Sequence, residues 1–370
     1  MKLPALKIGD LEARVPIIQG GMSVGISLSG LASAVANEDG IGVIGTALIG
    51  LREPDYKSNY LEANIRGMKK EIRKTRQMSD GIIGVNIMVV LTNYADTVRT
   101  AIEEQVDIIF AGAGLPLDMP EYLKENSCTK LVPIISSGRA ARLICKKWLS
   151  KYDYLPDAFV VEGPKAGGHI GFKLEQIDDS AFSLENIVPE VIEAVKPFED
   201  EQDKDIPIIA AGGIYTPNDI EKFIKMGAAG VQLGTRFVAT HECDADERFK
   251  QAYVESKKED MVIIKSPVGL PGRAVNNKFL DDVTQGKKKP FKCTYHCIKT
   301  CDYQKSPYCI AFALLNAQRG NMKHGYAFAG KNAHRIDKIV SVKELISSLL
   351  KGHELSSIQQ PLLKKRYDFF

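Results

Sequence analysis

Up to Phe237 the chain alternates between two textures. Short apolar, β-branched runs are bounded by Gly, Pro or Asn, and longer amphipathic or charged stretches lie between them. Eight runs stand out: Val15 to Gln19, Ile41 to Gly45, Ile82 to Val90, Val106 to Phe110, Leu131 to Ser136, Ala158 to Glu162, Ile206 to Ala211 and Gly230 to Leu233. Apolar residues at consecutive positions, rather than alternate ones, predict strands covered on both faces, the habit of a parallel sheet. Eight of them separated by helical stretches predict an α/β protein built on a TIM (β/α)8 barrel. A doubly wound open sheet is the rival reading.

Helix signals agree with the alternation. Leu28 to Val35 follows Ser27, and the charged stretch from Asp55 to Asp80 reads as an outer helix with flanking loops. Thr216 precedes Pro217 as a candidate cap; Ile220, Phe223 and Ile224 recur at helical spacing, and Gly227 supplies a stop. After Phe237 the rhythm changes. Ala245 to Lys257 reads as a helix, and the Pro- and Gly-rich segment Lys265 to Arg273 reads as a loop. The pattern predicts a barrel over 1–239, a smaller, mainly helical second domain over 240–320, and a C-terminal segment over 321–370. That segment carries a helix at Ser341 to Leu350 and packs back on the barrel.

Composition narrows the class. The 370 residues include 49 Lys plus Arg and 46 Asp plus Glu, a net charge of +3, which removes any whole-chain electrostatic argument for nucleic-acid binding. No apolar run approaches the ~18 residues of a membrane span, and Met1-Lys2-Leu3-Pro4 opens no signal-peptide stretch. The expectation is a cytoplasmic protein acting on a small molecule, without membrane or nucleic-acid partners and with its oligomeric state open.

In such a barrel the chemistry sits at the carboxyl ends of the strands. Gly20, Gly21 and Met22 follow the first run, Asn86 ends the third, and Ser136 ends the fifth. Glu162 ends the sixth and leads into Ala166-Gly167-Gly168-His169; Gly212-Gly213 follows the seventh and Gly234-Thr235 the eighth. Glycine loops after strands seven and eight form a recurrent phosphate site, because bare backbone N–H groups can approach the oxygens and a threonine hydroxyl can help. Small residues at the same rim leave room for a flat ring, and the Asn86 carboxamide suits a pyrimidine edge. Flavin mononucleotide (FMN) matches this set; a sugar phosphate would account for the glycines alone. His169, after two glycines at a strand end, is the candidate acid/base. Lys165 is either an anion contact or a solvated loop lysine. His241 is placed near the phosphate end, and His353 on the surface.

These residues also carry a resemblance. Pro16 to Met22, Gly84-Val85-Asn86, Glu162-Gly163 with Ala166 to His169, Ala210 to Ile214 and Gln232 to Phe237 resemble the nitronate monooxygenase family. That family was formerly called 2-nitropropane dioxygenase and includes the FMN-dependent enoyl-acyl carrier protein reductase II. The resemblance covers about residues 10 to 280, with a fainter match at Gly320 to Ala329. It implies a TIM barrel holding FMN, with His169 at the position of the family's catalytic histidine, the base for neutral nitroalkanes. In the monooxygenase branch the nitronate reduces the flavin, which then reacts with O2. In the reductase branch NAD(P)H is a co-substrate and an enoyl thioester on acyl carrier protein, or a quinone, takes the hydride. Gln19-Gly20-Gly21 departs from the alanine–proline version common in the family. A non-redox phosphate-binding barrel is the alternative of another class. An IMP dehydrogenase-type barrel would need a cysteine in the sixth loop, and Glu162 to His169 has none.

Four of the seven cysteines, Cys293, Cys297, Cys301 and Cys309, crowd into one short stretch. If the first three lie on a helix, their spacing of four puts them on one face. Four thiolates could hold an iron–sulfur cluster or zinc; alternatively they are reduced cysteines packing a small cap. Lys287 to Lys289 beside them reads as a solvated loop.

Overall fold

The structure is a computed structural model describing residues 2–288, 293 and 295–356. All eight apolar runs form strands: β1 (Ile17–Gln19), β2 (Gly42–Gly45), β3 (Ile83–Met88), β4 (Ile108–Gly112), β5 (Lys130–Ile135), β6 (Phe159–Glu162), β7 (Ile208–Ala211) and β8 (Gly230–Leu233). They pair in parallel in the order β1-β8-β7-β6-β5-β4-β3-β2. A parallel bridge from Ile18 to Ile41 closes the ring, so the sheet is a barrel and the open doubly wound alternative falls.

The double coverage of each strand is visible residue by residue. Ile18, Val43, Phe110, Val160 and Ile209 fill the barrel interior, where Leu6 and Ile8 of an N-terminal hairpin join them. The alternate positions Ile17, Ile109, Val161 and Ala210 pack in a second apolar layer with the surrounding helices. Both faces being dry explains why the strands read as continuous apolar runs. Those helices are α1 (Ser29–Asn37), α2 (Tyr60–Met78), α3 (Tyr94–Glu103), α4 (Gly138–Tyr152), α5 (Leu184–Gln202), α6 (Pro217–Lys225) and the short α7 (Thr235–Val238). α6 begins as its sequence predicts: the Thr216 side chain accepts from the Asp219 N–H, and the Asp219 side chain reaches back. At the strand starts, buried carboxylates satisfy backbone donors. Asp107 accepts from Ile83 N at 2.8 Å and pairs with Arg76, and Asp157 accepts from Leu131 N at 2.8 Å.

Beyond the barrel come α8 (Glu247–Val254), β9 (Met261–Lys265), β10 (Pro271–Val275), α9 (Lys278–Thr284) and α10 (Ile310–Gln318). The expected loop from Lys265 to Arg273 is therefore a hairpin whose turn is 266–270. β9 and β10 run antiparallel, and β10 also pairs with the two-residue strand Gly168–His169 from the sixth barrel loop. The helices of this part thus share it with a three-stranded sheet, a feature the sequence reading lacked. Among the described residues no helix lies between α9 and α10, so the single helical face expected for Cys293, Cys297 and Cys301 does not form. Cys309 instead occupies the N-cap position of α10, without a side-chain capping bond. Lys288 pairs with Asp282 at 3.6 Å; Lys289 and Pro290 lie outside the described residues.

The tail returns to the barrel. α11 (Val342–Leu349) is capped by Ser341 with Glu344, and Leu345 and Leu349 enter the same apolar layer as the barrel helices. Glu354–Leu355 then pairs with Lys2–Leu3. Residues 357–370 lie outside the described residues. His353, expected on the surface, has a side chain only 4% exposed, with its ring nitrogen 3.3 Å from Pro217 O. No helix among the described residues is long and apolar enough to cross a membrane.

Gly42 shows how tightly α1 seats on the barrel: a Cβ there would lie 1.9 Å from the Ala32 carbonyl oxygen. Gly42→Ala must displace α1, and a destabilisation of about 1–3 kcal/mol is expected. Urea unfolding checks it; an unchanged midpoint would show that the helix seat is soft.

Candidate active site

The strand register brings the site residues to one rim. Gly45 is level with Asn86, Glu162 with Ala211, Ala211 with Gln232, and Leu233 with Gln19. A cavity of about 330 Å³ opens above this level, within the range of small-molecule and cofactor sites. Its lining includes every predicted cofactor contact but one: Gly20, Gly21, Met22, Asn86, Glu162, Ala166, Gly167, Gly168, Gly212, Gly213, Gly234 and Thr235, together with His169. Ser136 is the exception. β5 ends at Ile135, Ser137 turns at once into the α4 cap, and the Ser136 hydroxyl lies against Gly171 instead.

The glycines do two separate jobs. Gly212 and Gly213 have φ of +93° and +96°, a left-handed conformation that other residues adopt at a cost. Gly21 is a matter of space, since a Cβ there would stand 2.3 Å from Asn86 Cβ. The result is a collar of bare backbone above a floor bearing the Asn86 and Gln232 carboxamides. A phosphorylated flat ring with a polar edge fits such a cradle: the collar offers close approach to an anion, and the floor offers donors and acceptors.

His169 lines the same cavity. Its Nε2 is 2.7 Å from Ser266 Oγ, and its ring meets Phe328 edge-on with centroids 5.0 Å apart. Burial lowers its pKa to about 4, so the imidazole is neutral at ordinary pH. Burial acts oppositely on Glu162, pushing it up to about 7. The loop carrying His169 is held from beneath: buried Arg273 donates to Pro164 O and Ala166 O, both at 2.7 Å. At the far end Thr235 Oγ1 accepts from Gly330 N at 2.9 Å, and Asn332 donates to Gly213 O at 2.7 Å. Lys165 is exposed at the rim.

Ser266, Arg273, Phe328, Gly330 and Asn332 escaped the sequence reading because they come from β9–β10 and the tail. The faint match at Gly320 to Ala329 was the available signal, and it stops just short of Gly330. His241 is exposed and lies outside the cavity lining, against expectation. Of the four clustered cysteines, Cys297 lines the cavity. Among the described residues, no three His, Cys, Asp or Glu side chains stand close enough together to hold a single metal ion.

A closed barrel with a collared, nucleotide-sized cavity at its carboxyl rim is the frame of a cofactor-dependent enzyme. The model of the nitronate monooxygenase family matches residues 5–352, and the chain belongs to that family. It is therefore a flavin-dependent oxidoreductase, which sets aside the non-redox phosphate-binding barrel. A probable nitronate monooxygenase of Staphylococcus aureus (strain JH9) is 28% identical over 301 residues, 74% of this chain and 79% of the relative. FabK from Thermotoga maritima shares 29% identity, with a TM-score of 0.69 over 92% of both chains. The nitroalkane oxidase from Streptomyces ansochromogenes, at 23% identity and a TM-score of 0.67 over 90% of this chain and 94% of its own, shares the fold.

Glu162 yields a test that needs no substrate. With its folded pKa near 7 against an ordinary 4.5, the folded protein keeps a proton that the unfolded chain has released. Stability should therefore fall as pH rises between those values and then level off. Glu162→Gln should flatten that slope, by about 1–3 kcal/mol between about pH 5 and about pH 8. Urea titrations of the flavin-free protein measure it; identical slopes in both proteins would contradict a half-buried, proton-holding Glu162.

Proposed function

We propose that the protein is an FMN-dependent nitronate monooxygenase, oxidising alkyl nitronates with O2 and using His169 as acid/base. The observation that carries this reading is a neutral histidine, tethered by a serine, lining the same cavity as the glycine collar. Gly212, Gly213, Gly234 and Thr235 would hold the FMN phosphate, and Gly20, Gly21, Met22 and Asn86 would border the ring. Glu162, Ala166, Gly167 and Gly168 complete the wall. When bound, FMN supplies the two-electron step, taking electrons from the nitronate and passing them to O2.

The chain's own contribution is proton handling and exclusion of water. A neutral nitroalkane gives its α-carbon proton to the His169 imidazole, and the electron pair moves into the nitro group, leaving the nitronate. A base whose pKa is well below neutrality is unprotonated at working pH, in exchange for a smaller driving force for taking the proton. Ser266 Oγ can donate to a bare Nε2 or accept from a protonated one, so the pair accommodates both states of the ring. Phe328 and Met22 keep that wall apolar.

The likeness to FabK, at 29% identity across nearly the whole chain, supports a second reading. In it NAD(P)H reduces the flavin, and an enoyl thioester on acyl carrier protein, or a quinone, accepts the hydride. Exposed Lys165 at the rim would then meet a phosphate of the co-substrate. Mixing oxidised protein anaerobically with NADH, NADPH or a nitronate separates the two. The first reading expects the nitronate to bleach the flavin, and rapid bleaching by nicotinamide alone overturns it.

His169→Ala should keep FMN yet lose about 10²–10⁴-fold in turnover of a neutral nitroalkane, with far less effect on a preformed nitronate. In the unmodified protein the nitroalkane rate should hold across neutral pH and fall as pH approaches about 4, where the imidazole protonates. Stopped-flow flavin reduction reads both; an unchanged nitroalkane rate in the variant removes His169 as the base.

A further inference from the structure

The cavity that holds His169 and the glycine collar has a second end of different chemistry. Val24, Leu48 and Leu91 line it from the first three barrel loops, and Ile298 lines it from beside Cys297. α10 adds Ile310, Ala311 and Leu314, whose spacing of one and four residues puts them on one helix face. These side chains pack in two apolar clusters that meet at Leu314 and Cys297, whereas Met22, Tyr215 and Leu233 beside the collar belong to the layer under the barrel helices. The strand order sets this end apart from the collar. β3, whose loop carries Leu91, lies four strands from β7 in the eight-stranded ring, the largest separation such a ring allows. The end is still continuous with the base: Phe328, whose ring meets His169 edge-on with centroids 5.0 Å apart, packs against the first of the two clusters.

This end offers little to a polar ligand. Ser23 Oγ already accepts from Ala47 N at 3.3 Å, and burial keeps the Cys297 thiol uncharged at neutral pH. A charged or hydroxylated group entering here would lose its water with little in return. A hydrocarbon chain would gain about fourfold in affinity for each methylene buried. The wall is braced from behind as well. Tyr56 packs in one cluster with Leu48 and Ala311, and its ring meets Tyr60 and Tyr295 with centroids 5.3 and 4.9 Å away. A braced wall has a fixed depth, so the gain from a longer chain must stop where the end is full.

We propose that this apolar end, walled by Leu48, Leu91, Ile298 and the Ile310, Ala311 and Leu314 face of α10, receives the hydrocarbon chain of the substrate, so that the enzyme prefers primary nitroalkanes and nitronates with chains of several carbons over nitroethane. The reacting carbon then sits by His169, and the chain runs past Phe328 into the end. The proposal deepens the monooxygenase reading and rests on it for the nitro head group; the chain site rests on the lining alone.

Two series on the flavin-loaded full chain test it. Calorimetric titration with butanol, hexanol and octanol uses neutral probes that need no redox step, and the dissociation constant should tighten about two- to fourfold per added methylene until the end is full. Anaerobic flavin reduction by the nitronates of nitroethane, nitrobutane and nitrohexane should give kcat/KM values that climb in the same proportion. Ala311→Leu, which fills part of the end, should cut the advantage of the hexyl over the ethyl nitronate, and of octanol over butanol, by about tenfold. These ratios are independent of how much of the variant folds, and the series on the unmodified chain decides the matter even if the variant does not fold. Alkanol affinities that climb with length while no nitronate bleaches the flavin would keep the chain site and remove the monooxygenase reading. Nitronates that bleach the flavin equally well at every length, alkanol affinities indifferent to length, or ratios untouched by Ala311→Leu would each overturn the proposal.

Discussion

The site depends on one buried cation. Arg273, 3% exposed, spends its guanidinium on the carbonyls of Pro164 and Ala166, and its backbone pairs with Gly168. A loop of small residues at a barrel rim would otherwise have little to define its path, since glycines carry the largest backbone entropy. By pinning the loop at both its carbonyls and its short strand, the β10 residue converts a flexible segment into a wall. His169 inherits its position from that wall, and Ser266, at the far end of the same hairpin, then meets its Nε2. Removing the arginine would leave two buried carbonyls unmet as well as a loop untied, which costs more than the bonds alone.

Burial sets the electrostatics of the cavity in opposite senses for its two titrating groups. It depresses His169 and elevates Glu162, so each is pushed toward its neutral form. Between the two values the pair adds little net charge to the site. Attraction for an anionic cofactor would then fall to backbone dipoles of the glycine collar and to Lys165 and Arg236 in the cavity lining.

The barrel was legible because its strands are dry on both faces. Ile17 and Ile18 serve different apolar layers, yet both must be apolar, so the run is continuous and its end is marked by glycine. The rim followed from the strand ends, with Ser136 as the overshoot: β5 gives way to the α4 cap too soon for that hydroxyl to face the cavity. What stayed hidden depends on long-range pairing. Pro271 and Gly272 spell a turn by local preference, but antiparallel partners on both sides make them a strand. Ser266, Arg273 and Phe328 acquire meaning only after the chain has folded back on the sixth barrel loop, the first two from 97 and 109 residues away and Phe328 from farther still. The cysteines misled through periodicity, since a spacing of four fits a helix that is not found among the described residues there.

The cysteine segment is stitched to the third barrel loop: Leu91 and Ile298 form an antiparallel bridge, and Thr92 N donates to Cys297 O at 3.2 Å. The same loop follows β3, the strand that carries Asn86. The cysteine segment therefore rests on backbone only a few residues from the cavity floor, and Cys297 itself is part of the lining. Burial, with the charges of Cys309, Cys293 and Cys301 adding to it, pushes the Cys297 thiol up to about 12, so at neutral pH it borders the cavity as an uncharged group and keeps that side of the wall apolar.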